Sequence, residues 1–159
     1  MGKKIGPNPT DRGKCGTKRS LLTDGGGVPL AVAIAGANAH DKTLVECTLK
    51  SFAVRRPRPK AGGCKQHFCG DKGYDYVDTR ELLRRWAYTP HIRARGEEAQ
   101  DLRSHPRKRA RRWVVERSHS WINRFRRLLI RWEKKADNYQ AMIHFACAII
   151  TWNAAGVLG

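Results

Sequence analysis

A chain of 159 residues fits one ordinary domain, and a 40% hydrophobic share with five tryptophans suffices for a core. Lys and Arg number 32 against 14 Asp and Glu, a formal charge of +18, and self-repulsion of that size destabilises a compact state unless a polyanion neutralises it, so nucleic acid is the expected partner. The same numbers exclude other classes. The longest apolar run, residues 145–152, is too short to span a bilayer, and no lipidation motif or basic amphipathic tail marks a membrane partner. Cys15, Cys47, Cys64, Cys69 and Cys147 are odd in number and scattered, which argues for reduced thiols rather than a disulfide framework. No apolar leader stands at the N-terminus, and a cytoplasmic, nucleoid-associated location is expected.

Residues 1–16 are rich in Gly, Pro and Lys and lack periodicity, as a loop does. Residues 17–23 and 28–35 are β-prone runs joined by Asp24-Gly25-Gly26-Gly27, a hairpin signal. The second run is nearly all apolar, as in a strand covered on both faces. A helix is expected over 43–52, with Asp41 as its cap. Arg55-Arg56-Pro57-Arg58-Pro59-Lys60 is a basic, proline-broken loop, expected to be exposed and mobile. Cys64, His67 and Cys69 faintly suggest a zinc spacing, but two of the three fall in an expected buried strand and no second ligand pair follows, so zinc is set aside.

The run His67-Phe68-Cys69 ends in Gly70-Asp71-Lys72-Gly73-Tyr74-Asp75. It reads either as a buried strand delivering Asp71 to the end of a sheet, where ligands gather in α/β folds, or as a plain Asp-Gly turn. Residues 77–86 form an expected amphipathic helix with Val77, Leu82 and Trp86 on its buried stripe. Residues 89–93 form a short strand that Pro90 pushes to an edge, and 94–110 are a basic linker. One long helix is expected over 111–135, with Val114, Trp121, Ile122, Phe125, Leu128, Leu129 and Trp132 on its core face. Glu116 falls on the opposite side, with Arg112, Ser120, Asn123 and Arg127. A solvated Arg112–Glu116 pair would be worth only a few tenths of a kcal/mol. Nine Lys or Arg against two acids in this stretch favour phosphate contact instead. Residues 139–152 are apolar on most faces and are expected to form a buried closing helix in which His144 is a satisfied core residue.

The order is that of an α/β protein with one acid at a strand end and another on a later basic helix. Such carboxylates suit paired Mg2+ ions that activate a water or a 3′-hydroxyl in phosphodiester displacement, although these sites draw on at least three acids. Gly6-Pro7-Asn8-Pro9-Thr10-Asp11-Arg12-Gly13-Lys14, Gly36-Ala37-Asn38-Ala39-His40-Asp41, Gly70-Asp71-Lys72-Gly73-Tyr74-Asp75 and Arg112-Trp113-Val114-Val115-Glu116-Arg117 resemble the catalytic portion of bacterial insertion-sequence DDE transposases, of the family-five branch. The resemblance covers essentially the whole chain as a single catalytic domain over residues 1–159. It implies a ribonuclease-H-like mixed sheet flanked by helices, Mg2+ (or Mn2+) as cofactor, and cutting and joining of double-stranded DNA at transposon ends and target. By motif position it makes Asp71 the second acid and Glu116 the third. Arg112 matches the family's arginine, while Asn123 stands where a lysine is usual and Arg109 where a tyrosine is usual. Arg112, Arg117, Asn123, Arg124, Arg126, Arg127 and Arg131 are the expected DNA contacts, with Arg55, Arg56 and Arg58 as a second patch. In the family the first acid lies on a strand upstream of the Gly-Pro-Asn-Pro stretch, and here five residues precede Gly6. The expectation is that the first strand and its acid are missing, so that activity needs an upstream transposase segment or a second copy. A catalytically inactive DNA-binding fragment or regulator is the alternative.

Overall fold

A computed structural model of the chain describes residues 3–57, 63–92 and 112–156. The expected linker at 94–110 and Arg58 lie outside them, as does the side chain of Arg112. Two compact units emerge, one from the described parts of Met1–Val54 and Val114–Gly159, the other from those of Arg55–Trp113.

The first unit is built on an antiparallel sheet of β1 (Gly6–Pro7), β2 (Cys15–Thr23) and β3 (Pro29–Gly36), in that order. The stretch expected as an N-terminal loop thus contributes a short strand and the start of β2. The hairpin pairs Thr17 with Gly36 and Leu22 with Ala31, then slips at Leu22/Thr23. Its turn is closed by Asp24, whose Oδ1 accepts from the amides of Gly26 and Val28, each at 2.8 Å. Ala31 to Ile34 are all buried, as the unbroken apolar run of β3 requires.

Helix α1 (Asp41–Lys50) buries Leu44, Val45, Thr48 and Leu49. Its cap is His40 rather than the expected Asp41: the imidazole Nδ1 accepts from the Lys42 amide at 3.3 Å. Asp41 is one residue inside, where a carboxylate still favours the positive helix end, and it pairs with Lys18 at 3.1 Å.

The long helix expected over 111–135 is broken. It divides into α3 (Arg112–Asn123) and the single turn α4 (Arg126–Leu129); α2 belongs to the second unit. The amides of Arg124 and Phe125 close back on Trp121 and Ile122, and Phe125 leaves helical geometry at φ −77, ψ 96. Three-residue closure tightens the last turn and stops propagation. The bend re-phases the apolar stripe. Val114, Ile122 and Leu128 are buried and Trp121 and Phe125 pack against the core, but Leu129 and Trp132 are 61% and 69% exposed. After the bend, α5 (Ala136–Ala154) returns against β3. It buries Ala136, Tyr139, Ile143, Ala146, Cys147 and Ile150, a stripe at helical spacing, and leaves Phe145 and Trp152 exposed. Among the described residues the closing helix is therefore covered on one side only, not on most faces. His144 is half-buried beside Gln140.

The second unit is a β-α-β element. β4 (Gln66–Gly70) pairs in parallel with β5 (Tyr88–Ile92), Gln66 opposite Tyr88 and Gly70 opposite Ile92, and α2 (Val77–Arg85) connects them. Parallel strands need such a crossover. Pro90 is accommodated because β5 has only β4 as a neighbour among the described residues. α2 buries Thr79 and Leu83, whereas Val77 is 74% exposed and Leu82 and Trp86 only flank the contact. The buried stripe is therefore Thr79 and Leu83 rather than the expected Val77, Leu82 and Trp86, and Val77, as the first helical residue, has no preceding turn to lie against. β4 is not fully buried: His67 and Cys69 are exposed between half-buried Gln66, Phe68 and Gly70. Arg56, expected to be mobile, is fixed. Its guanidinium donates to the Gln66 side chain and the Trp86 carbonyl and lies 3.7 Å from the Tyr88 ring centroid.

If α5 is one-sided, its two faces must respond differently to truncation. Ile143→Ala is expected to cost about 2–5 kcal/mol, as buried Ile deletions do, and Phe145→Ala to stay within about 0.5 kcal/mol. Urea unfolding of both variants checks this.

Candidate catalytic and DNA-contacting residues

Asp71 is both the end of a strand and the start of a turn. β4 stops at Gly70, and the Asp71 Oδ1 accepts from the Gly73 amide at 2.9 Å, capping a 3-10 turn over Lys72–Tyr74. Glycine at 70 leaves room for the rings beside it: a β-carbon there would lie 3.1 Å from Phe68 and 3.2 Å from Tyr74. The second Asp71 oxygen has no hydrogen bond among the described residues, and the side chain is exposed. Asp75, the other acid of the motif, is differently placed. Arg80 on α2 grips its Oδ1 through Nε at 3.0 Å and Nη2 at 2.7 Å, and the same Nη2 reaches the Ile92 carbonyl at 2.6 Å. Asp75 therefore ties α2 to β5, and Asp71 is the acid that faces outward. In the sequence Asp71 stands out at the strand end, and Asp75 is assigned no role.

Glu116 is exposed on α3 and makes no hydrogen bond or ion pair among the described residues. The helix beneath it is held firmly. Ser118, fully buried, has Gly27 O at 2.6 Å and Val114 O at 3.0 Å from its Oγ, while Arg117 donates to the Gly26 carbonyl and lies 4.8 Å over the Trp121 ring. Gly27 adopts φ +86, and a β-carbon there would sit 3.0 Å from both Arg117 Nη2 and Ser118 Oγ. The hairpin turn is thus clamped to the helix immediately after Glu116. Nearby, burial and then the Arg19 guanidinium hold His119 below the ordinary imidazole value. Asp71 belongs to the second unit and Glu116 to the first.

The expected DNA-contacting residues are placed in three ways. Arg117 and Arg131 serve the protein itself: Arg131 donates to the carbonyls of Lys3, Lys4, Glu133 and Lys134 and to Thr17 Oγ1 at 2.8 Å. Asn123 accepts from Arg19, and Arg127 pairs with Glu133 at 3.1 Å. Arg124 and Arg126 stand exposed at the bend between α3 and α4. Among the N-terminal acids, Asp24 closes the hairpin, Asp41 pairs with Lys18, and Asp11 lies 3.7 Å from Lys14. No group of three or more His, Cys, Asp or Glu among the described residues is gathered as a metal site. The outward acids Asp71 and Glu116 carry the hard oxygen donors that Mg2+ takes.

The family model for the transposase DDE domain matches residues 2–151. The chain therefore belongs to the DDE transposases. A Burkholderia cepacia protein, described by inference as the transposase for insertion sequence element IS402, is 38% identical over 160 residues, covering 94% of this chain and 69% of its own length. Together these place the chain among the bacterial insertion-sequence members of that family. No solved structure matches it. No described helix is long and apolar enough to cross a membrane.

Two measurements test this scaffold. Gly27→Ala strains the left-handed turn and crowds Arg117 and Ser118, and is expected to cost about 1–3 kcal/mol in a thermal or urea melt. His119 titrates below its unfolded value, so its contribution is present above the ordinary imidazole pKa and is lost as pH falls through the lower folded one. Stability is expected to drop from pH 7 to pH 5, less so in His119→Gln.

Proposed function

We propose that this chain is the catalytic portion of an insertion-sequence transposase that cuts and joins double-stranded DNA at transposon ends, with Asp71 and Glu116 as metal-holding acids in a ribonuclease-H-like arrangement. The observation that carries this reading is Asp71 itself. It ends a parallel strand of a β-α-β element with one oxygen held by Gly73 and the other turned outward, while neighbouring Asp75 is consumed by Arg80. Mg2+ or Mn2+, when bound, would activate the attacking oxygen and stabilise the leaving one. The protein's part is placement. The Gly73 amide fixes Asp71, and the Ser118 and Arg117 contacts to the hairpin turn fix the helix that bears Glu116. Arg124 and Arg126 lead the phosphate contacts, with Arg112, Asn123 and Arg127 beside them. Arg117 and Arg131 act mainly through the framework they hold together.

Asp11 and Asp24 already serve their own loops, and Asp41, at the start of α1, pairs with Lys18 on β2, so the further acid such sites draw on is not one of them. It comes from another transposase segment, in cis or from a second copy. Such an enzyme works on the nucleoid, in the cytoplasm.

The test is strand cleavage of a labelled element-end duplex with Mn2+, using the chain with and without the N-terminal part of a full-length relative. Cleavage is expected with the added segment and lost about 100-fold or more in Asp71→Ala and Glu116→Ala, with DNA binding kept. Binding should weaken with salt, log K against log salt falling by about 0.9 per phosphate contacted, and Arg124→Ala should lower that slope by about one contact. Binding without cleavage under every combination would assign a DNA-binding regulator instead.

A further inference from the structure

The exposed side of the β4–β5 pair carries a feature that this chemistry does not use. His67 and Cys69 on β4 and His91 on β5 are all exposed. In the parallel register Thr89 stands opposite His67, and His91 opposite Cys69, so the two histidines lie on a diagonal. Their rings meet: His67 Nδ1 is 2.6 Å from His91 Nε2, with centroids 4.9 Å apart and planes inclined by 37°. Two ring nitrogens this close bring one lone pair to face one N–H. A lone pair and an exchangeable proton on converging imidazoles are the starting point of a chelate. Zinc–nitrogen bonds of about 2.0–2.1 Å set two such nitrogens roughly 3 Å apart. The pair need open by less than about 1 Å, a small rotation for exposed rings.

We propose that His67 and His91 chelate a borderline divalent transition-metal ion, Zn2+ or Cu2+ in class, with water completing the shell. Cys64, His67 and Cys69 lacked a partner pair in the sequence, and β5 supplies an imidazole to His67. Imidazole donors suit these ions, whereas Mg2+ takes oxygen, so this site is chemically separate from Asp71 and Glu116 and independent of the reading above. A bound ion would tie β4 to β5 directly before Asp71.

The experiment is calorimetric titration of the whole reduced chain with Zn2+ in buffer containing excess Mg2+, for wild type, His67→Gln, His91→Gln and Cys69→Ser. Each His variant is expected to lose at least about tenfold in affinity, while Cys69→Ser binds as the wild type does. Zn2+ should raise the melting temperature of the wild type but not of the His variants, since an ion that binds only the folded state stabilises it. Cu2+ on the wild type should show an electron paramagnetic resonance spectrum with two imidazole nitrogens, a readout that needs no variant to fold. Equal Zn2+ affinity in the wild type and both His variants, displacement of Zn2+ by Mg2+, or a Cu2+ spectrum without two nitrogens would each overturn the site and leave the contact as a hydrogen bond between strands.

Discussion

Arginine-to-carbonyl bonding holds this chain's turns and loop ends in place. Arg56 closes on the carbonyls of Trp86 and Ala87, Arg80 on Ile92, Arg117 on Gly26, and Arg131 on Lys3, Lys4, Glu133 and Lys134. Each acceptor lies where a strand, helix or loop runs out of regular partners. A main-chain carbonyl left without a donor there costs free energy, and a guanidinium carries five N–H groups in a rigid fork that can serve several at once. For a chain of charge +18 this use of arginine has a second effect. Part of the positive charge is set against carbonyl dipoles, which lowers the self-repulsion that a strongly basic fold must overcome.

The same bonding separates the arginines that hold the protein's own carbonyls from those left outward. Composition treats every Arg between 111 and 135 alike, and a helical wheel sorts them only by face. The broken helix sorts them by partner. Arg131 falls after the bend, where the extended backbone at Ile130 brings its guanidinium to the N-terminal segment and the start of β2. Arg124 and Arg126 fall on the bend itself and stay outward. A straight helix would have spread these side chains along one rod of about 37 Å at 1.5 Å per residue.

Features set by local chemistry were legible in the sequence. The Asp24-Gly25-Gly26-Gly27 hairpin, the apolar β3 and the strand ending at Asp71 follow from turn residues and periodicity, and they appear where expected. Features set by a distant partner were not. The bend at Arg124–Phe125 interrupts a pattern that reads as continuous, and α5 is apolar on a face that nothing described covers. His40 rather than Asp41 caps α1 because either residue offers an acceptor and only the backbone conformation chooses. At the candidate site, Asp75 is set apart from Asp71 by Arg80, whose reach depends on how α2 lies on β5. The His67–His91 contact needs the β4–β5 register, which a one-residue slip would abolish.

The proposed metal-holding role of Asp71 and Glu116 bears on how far each carboxylate is ordered before any ion arrives. An exposed carboxylate on a free side chain loses rotamer entropy on binding an ion. At Asp71 the amide of Gly73 has already fixed one oxygen, so part of that cost is met during folding. At Glu116 the side chain is free, but its helix is clamped one and two residues further on by Arg117 and Ser118 to the turn at Gly26 and Gly27. Asp71 is held by its own side chain and Glu116 by its backbone. Glu116 therefore has the larger freedom to adjust, and in the proposed role an ion would order it more than Asp71.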